Sequence, residues 1–112
     1  MKDNKIIAEF MGFKQPHPEY PNTTYWYKEL PNGRLETLAI LNYHISWDWL
    51  MPVVEKIESD DRYDVDILQY GTRIRDNQKE IISNVADISF ENKIEHTYDA
   101  VVEFIKQLNK ES

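Results

Sequence analysis

The sequence predicts a single α+β domain. Its order is helix, strand, strand, helix, one or more strands, helix, with a largely antiparallel sheet of four or five strands and the helices packed on it. Apolar residues recur at helical spacing in separated segments, and the segments between them are rich in β-branched and aromatic residues or alternate at period two. Proline, asparagine and glycine punctuate the short joins, which suit antiparallel neighbours. A chain of 112 residues is one domain by length, and no repeat, low-complexity tract or linker divides residues 1–112. A domain of this size buries roughly two-thirds of the surface its unfolded chain exposes, enough for one core.

The first helix is expected over residues 4–11. Asp3 or Asn4 can cap it, Ile6, Ile7, Phe10 and Met11 form its apolar stripe, and Gly12 suits a left-handed stop. Residues 14–22, Lys14-Gln15-Pro16-His17-Pro18-Glu19-Tyr20-Pro21-Asn22, hold closely spaced prolines that oppose both helix and central strand, so a stiff, exposed loop is expected. Thr23–Leu30 and Arg34–Leu41 flank Pro31-Asn32-Gly33 and read as a β-hairpin. Period two puts Trp26 on one face with Thr24 and Lys28, and Tyr25 and Tyr27 on the other, so some aromatic surface points outward unless another layer covers it.

The second helix is expected from Trp47 to Ser59, with Ser46 as N-cap. Trp47, Leu50, Val54 and Ile57 form one stripe, Trp49, Val53 and Ile57 another, and the apolar phase continues through Pro52. That continuity favours one helix across the proline, at a cost of about 3 kcal/mol unless the turn adapts; the alternative start is Pro52 itself. Tyr63–Leu68 alternates as a strand, Gly71 marks a bend, Thr72–Arg75 and Glu80–Ala86 read as further strands, and residues 76–79 form a turn. From Asn92 the spacing becomes helical, with Ile94, Tyr98, Val101, Val102, Ile105 and Leu108 on one side and an Asn92–Glu95 pair at capping-box spacing. Helices on one face of the sheet would leave a wet face for Asp64 and Asp66. Helices on both faces would make an α/β/α sandwich that also hides the hairpin aromatics.

Composition restricts function more than it assigns it. The net charge of −7, from 20 acids and 13 bases, disfavours direct nucleic-acid binding, which needs clustered Lys and Arg. No cysteine is present, which excludes disulfides and thiolate chemistry. Glu9 interrupts the N-terminal apolar run, so no secretory signal is read, and no stretch approaches the roughly 20 apolar residues of a membrane span. A cytoplasmic protein without membrane contact is expected.

His17, His44 and His96 lie far apart in sequence, and the pairs His44 with Asp48 and His96 with Asp99 fall short of a zinc ligand set. Ser46 and Ser83 lack a nucleophile-elbow context, Asp64 and Asp66 read as a solvated strand face, and three glycines cannot build a phosphate loop. No catalytic residue, metal or cofactor is assigned. The candidate binding residues are the aromatic groups of the first half: Tyr25, Trp26 and Tyr27 on the hairpin, and Tyr43, His44, Trp47, Asp48 and Trp49 at the second helix's start. A tryptophan on an apolar stripe serves a core more often than a ligand, and Asp48 gains about 0.3–1 kcal/mol from the helix dipole without any catalytic purpose.

Three segments together resemble a known group: Asn4–Gly12, then Tyr43–Glu58 with its Ser46-Trp47-Asp48-Trp49-Leu50-Met51-Pro52 run, then Ile94–Ile105 with Tyr98-Asp99-Ala100-Val101-Val102-Glu103-Phe104-Ile105. They resemble small bacterial, prophage and phage proteins described as phage alpha/beta/alpha sandwich domains. The resemblance implies a sandwich fold and a phage or bacterial setting, and transfers no catalytic residue. The expected function is a non-enzymatic accessory or interaction module whose partner is another protein or a second copy, through the aromatics of Tyr25–Tyr27. The alternatives are a small-ligand site at Tyr43–Trp49, with enzymatic activity as one form of it, and an acidic nucleic-acid mimic.

Overall fold

In the computed structural model, residues 3–69, 71–77, 81–86 and 93–111 are described. Helix α1 spans Asn4–Phe10 and buries Ile7 and Ala8. Asp3 holds the N-cap position but makes no side-chain cap bond. Gly12 follows the last turn at φ +96°, a conformation that costs a residue with a Cβ and ends the helix as expected.

Strands β1 (Trp26–Glu29) and β2 (Leu35–Leu38) form the hairpin, with Trp26 opposite Leu38 and Lys28 opposite Glu36. Gly33 takes φ +83° in its turn, where its N–H donates to the Leu30 carbonyl. Helix α2 (Trp47–Glu58) runs unbroken through Pro52, so of the two starts weighed the one at Trp47 forms. The N–H groups of Trp49 and Leu50 both donate to the Ser46 carbonyl, which secures the first turn although the Ser46 side chain makes no cap bond. Pro52 lies on the exposed side, and Leu50, Val53, Val54 and Ile57 are buried.

Strands β3 (Tyr63–Leu68), β4 (Gly71–Asp76) and β5 (Ile81–Ala86) pair antiparallel in that order, with a register shift at Ile74/Arg75. Helix α3 (Lys93–Glu111) lies across this sheet and buries His96, Thr97, Tyr98, Ala100, Val101, Val102, Phe104 and Ile105. Asn92 of the expected capping box, Gln78 and Lys79 of the expected turn and Glu80 of the expected strand lie outside the described residues.

The α+β domain with its three helices is as read, but the expected four- or five-stranded sheet is two sheets, of two and three strands. On the β1 side the hairpin ladder continues to Lys14, whose N–H and carbonyl pair with Tyr27 at 2.8 and 3.0 Å, rather than to β3. The side chains of the hairpin still join the common core through Trp26.

In the three-stranded sheet, Tyr63, Val65, Ile67, Thr72, Ile74 and Ser83 share the helix-covered face, and the Phe104 ring meets the edge of Tyr63 at 4.8 Å. The other face carries Asp64, Asp66, Arg73, Arg75 and Asn84, with Arg75 and Arg73 at 2.9 and 3.5 Å from Asp66. Of the two arrangements weighed, the one with a wet face for Asp64 and Asp66 describes this sheet; a second helical layer over it, the α/β/α sandwich, is not formed by the described residues.

Candidate functional site

Neither sequence region makes a site alone; the fold joins them. The end of α1, the inner residues of the hairpin and the start of α2 enclose an open groove of about 340 Å³. Met11, Phe13, Leu38, Tyr43, Trp49 and Pro52 give it apolar walls, and Lys28, Glu36 and Asp48 stand around it. Tyr43 and Trp49 meet edge to face at 5.2 Å and 90°, a favourable aromatic geometry that fixes both rings. Tyr43 is only 3% exposed, and burial, helped by the Glu36 charge, pushes its hydroxyl up to about 12, so it stays a neutral hydroxyl at ordinary pH.

Two lysines hold the α1 end of this region. Lys28 places its ammonium 4.6 Å from the centre of the Phe13 ring and donates to the Met11 carbonyl at 3.4 Å. Lys56 sits over Phe10 in the same way, also 4.6 Å from the ring, and donates to the Phe10 carbonyl. Cations at a helix C-terminus satisfy orphan carbonyls and oppose the negative end of the dipole. Partial burial and the Lys28 charge lower the Lys56 ammonium below its ordinary value.

Of the expected site residues, Tyr43, Asp48 and Trp49 line the groove. Trp47 is half-buried and packs against the core, as the core reading of this stretch expects. His44 is turned elsewhere: its Nδ1 lies 2.9 Å from the Asn4 amide nitrogen, which donates to it and also to the Leu41 carbonyl, and its ring stands 6.2 Å from Tyr98. It ties α1 to the approach to α2. Glu36, Leu38 and Lys28 were not singled out from sequence; the hairpin register that sets Lys28 against Glu36 is the signal that could have found them.

The hairpin aromatics do not form an open platform. Trp26 is 7% exposed and belongs to the core, while Tyr25 and Tyr27 are half-buried under the proline-rich loop. That loop is exposed along most of its length, but His17 within it is 1% exposed. Its ring lies 5.0 Å from Tyr20 and 5.5 Å from Tyr27, and Tyr20 in turn meets Tyr25 at 5.7 Å. His17 Nδ1 accepts from the Glu19 N–H at 3.0 Å, so Nε2 carries the proton and donates to Thr37 Oγ1 at 2.9 Å. The loop is therefore the extra layer that the period-two argument required.

His96 is also structural. Thr97 spends its one hydroxyl proton on the Lys93 carbonyl, at 2.8 Å, so at 2.9 Å it must accept from Thr72. Thr72, its proton used, accepts from His96 Nδ1 at 2.7 Å. The chain of bonds fixes the tautomer and ties α3 to β4. Ser83 Oγ similarly donates to the Ala100 carbonyl at 2.7 Å. Among the described residues no three His, Asp or Glu side chains converge as a metal site needs.

Beside the groove, across the end of β2, a second hollow of about 300 Å³ is lined by Ala39, Ile40 and Leu41 with Gln15, Thr24 and Trp26. Ile40 and Ile45 are 63% and 64% exposed and bracket Leu41–His44. A third hollow, of about 260 Å³ between Phe10, Ile57, Tyr63, Phe104 and Leu108, has its polar groups already paired, Arg62 with Asp60 at 2.7 Å and Lys56 with the Phe10 carbonyl. Arg62 grips Asp60 through both oxygens and holds that carboxyl down at about 2. The acids are thus interleaved with bases, as Asp60–Arg62, Asp66–Arg73, Asp66–Arg75 and Asp3–Lys106 show. No described helix is long and apolar enough to cross a membrane. No protein-family model matches this sequence, and no curated protein or solved structure matches it either.

Proposed function

We propose that the protein is a non-enzymatic interaction module of a bacterial mobile element or phage, and that it meets a partner protein through the Leu38–Trp49 segment and the groove beside it. The observation that carries this reading is the convergence of hairpin and α2 on one open, aromatic-walled groove, with Ile40 and Ile45 exposed in the Leu38–Trp49 segment that supplies part of its wall. Single exposed isoleucines are common, but two within six residues of a segment that also lines a groove supply apolar surface of the kind protein contacts use. The resemblance of the three segments to phage alpha/beta/alpha sandwich domains supplies the setting. Relative to the expectation from sequence, the contact moves from Tyr25–Tyr27 to the neighbouring groove, because the proline-rich loop covers those tyrosines.

Ile40→Ser with Ile45→Ser tests the proposal. Both side chains are exposed, so stability is expected to stay within about 0.5 kcal/mol of the parent. A partner recovered from host-cell extract by the parent chain is expected to be lost with the double variant, while an Asp64→Lys variant on the opposite sheet face retains it. A partner that survives the isoleucine substitutions contradicts the proposed surface. The space at the start of α2 is open rather than filled, which also favours a small-ligand reading of Tyr43–Trp49; that reading expects a low-molecular-weight compound alone to protect Trp49.

A further inference from the structure

Resting on the reading of the groove as a contact surface, we infer that its occupant is a polypeptide segment presenting a basic side chain, best an arginine. The cation sits by Glu36 and Asp48, and its aliphatic stem lies along Leu38 and Trp49.

The first observation is a cross-strand pair that does not form. Lys28 stands directly opposite Glu36 in the hairpin register, where opposite charges ordinarily attract one another. Its ammonium is instead given to the Met11 carbonyl and the Phe13 ring. Glu36 is left exposed at the groove without a cation, and Asp48, on the first turn of α2, also has no ion-pair partner among the described residues.

The second observation is Tyr43. It lines the same groove with its side chain 3% exposed, and its hydroxyl makes no hydrogen bond with a described residue, so it is available to an occupant. Held in its neutral form, it can donate to a carbonyl of an incoming backbone or accept from a guanidinium.

The walls suit the stem and the plane of an arginine, because a guanidinium stacks on an aromatic face while its methylenes cover apolar surface. The extent of the surface favours a chain over a compact cation. A second hollow begins at Ala39, the residue after Leu38 of the groove, and an extended segment is long enough to reach both where a small molecule fills one. The net charge of −7 attracts a basic partner in the same sense.

The test titrates the full chain with blocked tetrapeptides, acetyl-Leu-Xaa-Leu-Leu-amide, in which Xaa is arginine or its neutral isostere citrulline, followed by backbone amide NMR. The arginine peptide is expected to move resonances of residues 36–40 and 43–49 and to bind at least about fivefold more tightly than the citrulline peptide. The Glu36→Gln, Asp48→Asn double variant is expected to erase that preference, and an Asp64→Asn variant on the far sheet face is expected to keep it. Equal affinity for the two peptides in the parent chain overturns the cation site but leaves the groove as a contact surface. Butylguanidinium binding as tightly as the arginine peptide overturns the polypeptide occupant. Failure of either peptide to move groove resonances overturns both this inference and the reading it rests on.

Discussion

Phe104→Ala is expected to lower the free energy of unfolding by about 3–5 kcal/mol, a large part of the roughly 5–15 kcal/mol that holds a domain together. Phe104 is 1% exposed on α3, the helix that touches both the three-stranded sheet and the other helices. Its ring meets the edge of Tyr63 at 4.8 Å and 82° and borders the hollow shared with Phe10, Ile57 and Leu108. Truncation loses the transfer energy of the ring and enlarges that hollow at the junction of α1, α2, β3 and α3, where relaxation would have to move several elements at once. Phe104→Leu keeps most of the volume and should cost clearly less. Denaturant unfolding measures both, and a loss below about 1 kcal/mol for the alanine variant would show that the site collapses or that the ring is not central.

Thr72→Val is the second large effect, and its origin is polar. The substitution keeps shape but removes the hydroxyl that gives a proton to Thr97 and receives one from His96 Nδ1. Thr72 is 0% and His96 1% exposed, so water does not readily replace it. Stranding a buried donor costs about 1–3 kcal/mol, more than the hydroxyl's own net bond contributes. The variant should also free the His96 tautomer, visible as a change in imidazole ¹⁵N shifts. An unchanged midpoint with unchanged ¹⁵N shifts would mean the three side chains do not form the chain described above.

Both effects bear on how much of the molecule is readable in the sequence. The elements themselves are, because each rests on local chemistry. Gly12 and Gly33 sit at positive φ where a stop and a turn were read, and the apolar phase across Pro52 did mean a single helix. Pairing beyond the hairpin is a long-range choice that periodicity does not encode. Nothing local says that Lys14, rather than β3, takes the free side of β1, and so the division into two sheets was not legible.

The candidate site divides the same way. Tyr43, Asp48 and Trp49 were legible as an aromatic cluster around an acid at a helix start. Their partners Glu36 and Leu38 come from a strand whose face is decided by hairpin register, and a one-residue slip would have turned both away. His17 shows the opposite error. Three prolines suggested an exposed loop, yet the closed pair of bonds to Glu19 and Thr37 buries the imidazole and covers Tyr27. A histidine spaced three residues before Tyr20, in a loop preceding an aromatic strand, was the available hint.

The start of α2 is part core and part groove wall, with Trp49 more accessible than Trp26. Single-tryptophan variants, with the other two replaced by Phe and the fold verified, test it through emission maxima and acrylamide quenching. Trp26, at 7% exposure, is expected to be blue-shifted and strongly protected, and Trp49, half-buried at the groove, to be measurably more quenchable. Trp49 as protected as Trp26 in a folded chain would mean that the groove is closed in solution, and the proposed contact surface would fall with it.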